Sequence, residues 1–197
     1  MLIIFDVDGT LVGGETQDCA CFDQAVATVV GLTLNSAFFD SLPEITAQAI
    51  AESCGLAANH ELGNGLEERI RDEYLRRLQE VKAQDGGAFP SRAGVRALLA
   101  YLSTVPGVSV AIATGCWRAT ASFKLAAAGI DVSAYPFVTS SETRSRAEII
   151  RLAAQRAGRD LSEAVYVGDG LWDMKASQSL GMPFIGTGRK LERLKAA

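Results

Sequence analysis

Residues 1–14 read MLIIFDVDGTLVGG. Leu2, Ile3, Ile4 and Phe5 form a short continuous apolar run, the pattern of a strand buried on both faces of a sheet. Two aspartates, Asp6 and Asp8, stand at its tip. Aspartate is a poor strand residue and is costly to bury unpaired. With one residue between them, the two carboxylates share a side if the strand continues, because the side-chain period of a strand is two. They would then repel and raise one another's pKa. A bound cation or a shared proton relieves that repulsion, whereas the alternative for Asp-Gly-Thr is an ordinary turn. The rest of the chain decides between the two.

Outward from this strand the rhythm changes twice. Residues 15–82 read as helical throughout. Phe22, Ala25, Val26, Val29 and Val30 recur at helical spacing before Gly31 stops the run. In SLPEITAQAIAESCG, Ser41 and Glu44 fit a capping box with Gly55 as the stop. Leu66, Ile70, Tyr74, Leu78 and Val81 make an apolar stripe against a charged back. AQDGGAFP (83–90) reads as a linker. Beyond it helices and strands alternate: VSVAIAT (108–114), PFVTS, AVYVGD (164–169) and FIG as strands, with WRATASFKLAAAG closed by Gly129, SRAEIIRLAAQRAG opened by a capping box of Ser145 and Glu148, and LWDMKASQSLG as helices. Strands are expected to begin near Leu2, Val108, Phe137, Ala164 and Phe184. Such alternation predicts an α/β fold, a doubly wound parallel sheet with a Rossmann-like core, carrying an inserted all-helical cap. Residues 1–14 and 89–197 are assigned to the core, and 15–88 to the cap with its return linker.

The 197 residues are 48% hydrophobic and 21% charged, enough for a real core and too apolar for general disorder. A net charge of −4 without a basic cluster argues against a nucleic-acid surface. The most apolar stretch, AVATVVGLTL, is too short to span a bilayer. With the first strand starting at Leu2 there is no room for a leader, so a soluble cytoplasmic protein is expected. Cys19, Cys21, Cys54 and Cys116 show neither a disulfide framework nor zinc spacing, and read as buried free thiols. His60, the one histidine, sits in a loop-like stretch. Oligomeric state has no signature in the sequence.

In a parallel sheet ligands bind outside the carboxyl ends of the strands. Asp6 and Asp8 stand at the first such end. The second offers Thr114-Gly115 ahead of a helix whose free amides favour an anion. Gly168-Asp169-Gly170 ends the fourth, with Asp173 one helical turn on. Near the third, Arg146 lies in the first turn of a helix, where a cation opposes the helix dipole unless an anionic ligand offsets the cost. Together these make a carboxylate cluster able to hold Mg²⁺, ringed by groups able to hold phosphate.

DVDGT (6–10), the hydrophobic-ATG ending in Thr114-Gly115, Arg146 and VGDGLWD (167–173) resemble, in order, the four motifs of the haloacid dehalogenase superfamily. TGCWRATASFKLAAAGI and FIGTGRKLERLKAA look most like its phosphoglycolate phosphatase-like branch. The resemblance implies that Asp6 is a nucleophile forming an aspartyl-phosphate, and that Asp8 protonates the leaving oxygen and then takes a proton from water. It implies Mg²⁺ on the Asp6 carboxylate, the Asp8 backbone carbonyl and Asp169, with Asp173 orienting water or the ligands from behind. Thr114, Gly115 and Arg146 would bind the phosphoryl oxygens. The implied substrate is a small phosphorylated metabolite. Three departures stand out. The third motif is commonly lysine, and the candidates here are Arg144 and Arg146, the latter preferred for its place at the helix start. DGTL is followed by Val-Gly-Gly-Glu where many capped members have Asp-Ser. Cys116 stands where the branch often has asparagine. A phosphomutase, or a phosphoaspartate-accepting regulatory protein with little turnover, would use the same residues.

Overall fold

The structure, a computed structural model, describes residues 1–58 and 65–187. His60 and the segment KLERLKAA lie outside the described residues. Five parallel strands, β1 (Leu2–Phe5), β2 (Ser109–Ala113), β3 (Phe137–Val138), β4 (Ala164–Gly168) and β5 (Phe184–Gly186), form one sheet in the order β3-β2-β1-β4-β5. The apolar runs therefore become strands where expected, with β2 starting at Ser109. The chain steps from β1 to β2 and β3 on one side, then crosses back to β4 on the other. That change of direction beside β1 opens a crevice at the strand ends, where α/β sheets bind ligands. Phe5 lies level with Ile112 of β2 and Val167 of β4, so three carboxyl ends finish side by side.

The strand period of two divides the core into two halves. On one face Phe5, Val110, Ile112 and Val167 pack into an apolar cluster with Leu99 and Leu102 of α5 (Val95–Leu102) and with Ala121 and Leu125 of α6 (Arg118–Ala127). On the other, Leu2, Ile4, Ala111, Ala113 and Tyr166 meet α7 (Arg146–Arg156) and α8 (Leu171–Ser179) through Ile149, Ile150, Ala153 and Ala176. The sheet is doubly wound, as the alternation predicts.

Between β1 and α5 the described residues form four helices: α1 (Glu15–Val30), α2 (Ser36–Asp40), α3 (Ala47–Ala57) and α4 (Leu66–Gln84). Gly31 ends α1 with φ 76° and donates its amide to Ala27 O, a left-handed stop. Leu66, Ile70, Tyr74 and Leu78 form the buried face of α4, as their spacing indicates. α1 packs on α4, and α4 reaches α6. The apolar cluster on the first sheet face runs on through Trp117 into Cys21, Ala25, Val26, Tyr74 and Leu78, so the helical segment shares a core with the sheet.

Several local expectations are corrected. Ser41 and Glu44 do not cap a helix start. Ser41 closes the short α2, which the apolar period did not mark, and α3 begins later with Thr46 as its cap, the Thr46 hydroxyl accepting from Ala49 N at 3.3 Å. Glu44 instead accepts from the first amide of α7. Gly55 lies buried inside α3, which runs on to Ala57. Ser145 does precede α7, but its side chain makes no capping bond, and Glu148 pairs with Arg151 instead. Of the thiols, Cys21 and Cys54 are buried and Cys116 is half-buried, but Cys19 is exposed.

Candidate active site

Asp6 follows β1 and is locked there by its amide, which donates to Val167 O at 2.9 Å. Its side chain is buried with those of Asp169, after β4, and Asp173, in the first turn of α8. Each offers a carboxylate oxygen, and these oxygens lie within 4.8 Å of one another. Burial pushes the Asp6 carboxyl well above the usual range, and Asp173, Asp8 and Asp169 push it further against the pull of Arg146. Three buried acids this close need positive charge among them.

Glycine makes the approach possible. Gly9 turns the chain after β1 at φ 78°, and a Cβ there would lie 2.0 Å from Asp169 Oδ2. A Cβ on Gly115 would lie 2.1 Å from the Arg146 guanidinium. Both side chains reach the cleft only because the opposing backbone is bare.

Part of the required charge comes from Arg146, whose Nη1 lies 2.6 Å from Asp173 Oδ1 and 3.5 Å from Asp6 Oδ1. Nη2 donates to Ile45 O at 2.9 Å. Nε is buried without a hydrogen-bond partner. A buried guanidinium N–H left unpaired is costly, and it marks a place fitted for an anion. Asp173 is more than a bystander. Its Oδ1 holds Arg146, and its Oδ2 accepts from Gly170 N at 2.9 Å. Arg144, the other candidate, is 64% exposed and pairs with Glu52 at 2.8 Å. Thr114 is buried at the end of β2, and its hydroxyl accepts from Cys116 N at 3.3 Å.

Asp8 stands apart. Its carboxylate is not in the group of three. Instead Asp8 Oδ1 lies 2.6 Å from Lys124 Nζ, and Oδ2 accepts from Cys116 Sγ at 2.8 Å. Lys124 also pairs with Asp18 Oδ1 at 2.8 Å, and the Tyr74 hydroxyl donates to the same oxygen. Burial alone would push the Lys124 ammonium down, but Asp18 and Asp8 outweigh it and hold its pKa well above the ordinary lysine value. Asp18 is itself raised, by burial and by Asp8, because two acids share one ammonium. Burial and the Asp8 charge also raise Cys116, which therefore stays a thiol and a donor.

The helical segment meets this site directly. Ala47 N donates to Gly115 O at 2.7 Å, Thr46 Oγ1 to Arg144 O at 2.8 Å, and Arg146 N to Glu44 Oε2 at 3.2 Å. Glu44 thus supplies the side-chain acceptor at the start of α7 that Ser145 does not. Sequence reasoning missed Glu44, Asp18, Tyr74 and Lys124 as neighbours of the site. A signal existed for two of them. Lys124 falls on the buried stripe Thr120, Ala121, Leu125, and Asp18 on the stripe Cys21, Ala25, opposite charges at two apolar positions.

A family model for haloacid dehalogenase-like hydrolases matches residues 1–181. No curated protein sequence matches the chain. Among solved structures, a hydrolase from Pseudomonas syringae superposes with a TM-score of 0.77 at 21% identity, over 97% of this chain and 89% of that one. CbbY from Rhodobacter sphaeroides in complex with phosphate gives 0.71 at 20%, over 96% and 87%. A β-phosphoglucomutase from Clostridium difficile gives 0.74 at 18%, over 100% and 87%.

Proposed function

The chain belongs to the haloacid dehalogenase-like hydrolase family, and from that premise we propose that it is a Mg²⁺-dependent phosphatase of small-molecule phosphate monoesters working through an aspartyl-phosphate. One observation carries the reading. Arg146, fastened by Asp173, turns a guanidinium with an unpartnered Nε toward Asp6, so nucleophile and anion-holding group face one cleft.

A phosphoryl group seated between Arg146, Gly115 and Thr114 would present phosphorus to an Asp6 oxygen. The Asp6–phosphorus bond forms as the ester bond breaks, and Asp8 gives its proton to the leaving oxygen. Water then attacks phosphorus, Asp8 takes the proton back, and Asp6 is released with inorganic phosphate. One group serves as acid and then base because the two half-reactions run in opposite senses. Residues fitted to hold Mg²⁺ are Asp6 and Asp169 by carboxylate and Asp8 by its carbonyl. When bound, the ion offsets the crowded negative charge and lets the anionic substrate enter. Asp173 anchors Arg146, which in turn stabilises the negative charge spread over the phosphoryl oxygens.

Residues 15–88 act in this reading as a cap. Ile45, Thr46 and Ala47 already touch the phosphate side of the cleft, a placement suited to excluding water and limiting substrate size. The substrate proposed is a small cytoplasmic phosphorylated metabolite; among the described residues no helix is long and apolar enough to cross a membrane. The test is a screen of small phosphate esters with and without Mg²⁺. Release of inorganic phosphate supports the reading. Isomerised ester in its place indicates a mutase, and a long-lived phosphoprotein without turnover indicates a regulatory acceptor.

A further inference from the structure

The chemistry above leaves Lys124 without a task. It lies within α6 with none of its side chain exposed, and a buried ammonium costs several kcal/mol unless well paired. Fastening α6 to α1 would need only Asp18, which Tyr74 already steadies. A second ion pair instead reaches the loop after β1 and takes hold of Asp8 at 2.6 Å. Asp8 is thereby gripped at both oxygens, by Lys124 at Oδ1 and by the Cys116 thiol at Oδ2. Its side chain is 24% exposed while that of Lys124 is sealed, so the grip comes from inside and leaves part of the carboxylate open. Each carboxylate oxygen has a second lone pair for a proton.

We propose that Lys124 is a positioning residue for Asp8: its ammonium, anchored by Asp18 and Tyr74, holds the carboxylate where it meets the leaving oxygen of the ester. The inference rests on Asp8 being the acid–base group. Fixing that carboxylate before substrate arrives removes a rotational search from the reaction, and small misplacements of such groups are expensive. Turning Asp8 away would take a partner from the Lys124 ammonium, which is sealed from water. The same staple joins the acid–base group to α1 and α4, so the helical segment helps define where Asp8 stands.

Lys124→Met alone would leave Asp8 and Asp18 facing each other without a cation, so the variant to use is the charge-balanced pair Lys124→Met with Asp18→Asn. Its fold is checked by thermal melting and its phosphate site by inhibition with inorganic phosphate. Hydrolysis of p-nitrophenyl phosphate, whose leaving group needs little protonation, is compared with that of glycerol phosphate, whose alkoxide needs a proton. Loss of a well-placed acid should lower kcat/KM for the alkyl ester at least about tenfold more than for the aryl ester. Inhibition by phosphate should be unchanged. On an Asp8→Asn background the pair should cost less than about twofold more, because a residue acting through Asp8 has nothing left to act on. If the balanced pair does not fold, Lys124→Arg, which keeps the charge but moves it, should show the same discrimination between esters. Equal losses on both esters, additive losses on Asp8→Asn, or no loss would overturn the inference. Turnover of neither ester by the wild-type protein would defeat the phosphatase reading first and this inference with it.

Discussion

Asp6 is the residue on which the most unfavourable electrostatics converge. Its carboxyl is raised by burial first and by neighbouring acids second, with Arg146 opposing. Between the ordinary carboxyl range and that raised value, the folded protein holds a proton that the unfolded chain has lost, so metal-free stability falls as pH rises through the window. Asp6→Asn removes the charge. In EDTA the variant should therefore melt above wild type near pH 7, and the gap should shrink as pH falls toward about 4 and close below about pH 3, where both states keep the proton. Excess Mg²⁺ should reverse the order near neutrality. A gap independent of pH would mean that the three acids do not burden the fold. At Arg146 the expected loss is catalytic: Arg146→Ala should lower kcat/KM by roughly 10²–10³, as for removal of one preorganised donor. Arg144→Ala should change it less than about threefold, since that side chain lies in solvent on Glu52. Steady-state kinetics on one aryl phosphate settles both.

At the level of elements, the helices between β1 and α5 meet the sheet through Trp117, the residue just before α6. It is fully buried, its ring centroid lies 6.0 Å from that of Phe22 of α1 and 6.5 Å from that of Tyr74 of α4, tilted to both, and it donates Nε1 to Glu67 Oε1 at 2.7 Å. Trp117→Ala should cost about 3–5 kcal/mol in denaturant unfolding, the range for deleting a large buried aromatic. A cost under about 1 kcal/mol would show that the helical segment and the sheet are independently stable. The same junction shows why the sequence was legible unevenly. β1, β2 and β4 announce themselves as apolar runs because both faces are buried, and Asp6, Thr114 and Asp169 are found from where those runs stop. Arg146 is marked by a local contradiction, a cation at a helix start. Glu44 carries no such mark. Its partner is the Arg146 amide in a helix about a hundred positions on, and Ser41 offers it a closer, wrong explanation as a capping box. Lys124 is marked as a charge on an apolar stripe, but its partners come from the β1 loop, α1 and α4, and only the fold brings two acids to one ammonium.

Across the whole molecule the sheet order does the positioning. β1 lies between β2 and β4, so the residues following these strands, Asp6, Thr114 and Asp169, meet at one edge, and the crossing back from β3 delivers Arg146 there as α7 begins. The arrangement sorts four acids into two places. Asp6, Asp169 and Asp173 share a charge-dense cluster, whereas Asp8 is drawn aside by Lys124 and Cys116. Metal and proton chemistry should accordingly separate. Asp169→Asn should weaken Mg²⁺ binding and regain part of its activity in excess Mg²⁺, because a charged oxygen ligand has become a neutral one. Asp8→Asn should keep its Mg²⁺ dependence and lose roughly 10²–10⁴ in turnover that added metal does not restore. A titration of both variants on one ester checks this pair of outcomes. The central claim, that Asp6 carries the phosphoryl group, is tested most directly by trapping it. With Asp8 proposed as the base that releases phosphate, p-nitrophenyl phosphate and Mg²⁺ should load Asp8→Asn with one phosphoryl group, which acid quenching and peptide mass spectrometry would locate. The account predicts the added group on Asp6, in the peptide beginning MLIIFDVDGT. A phosphoryl group on any other residue, or an Asp6→Asn protein that still turns over the ester, would contradict it.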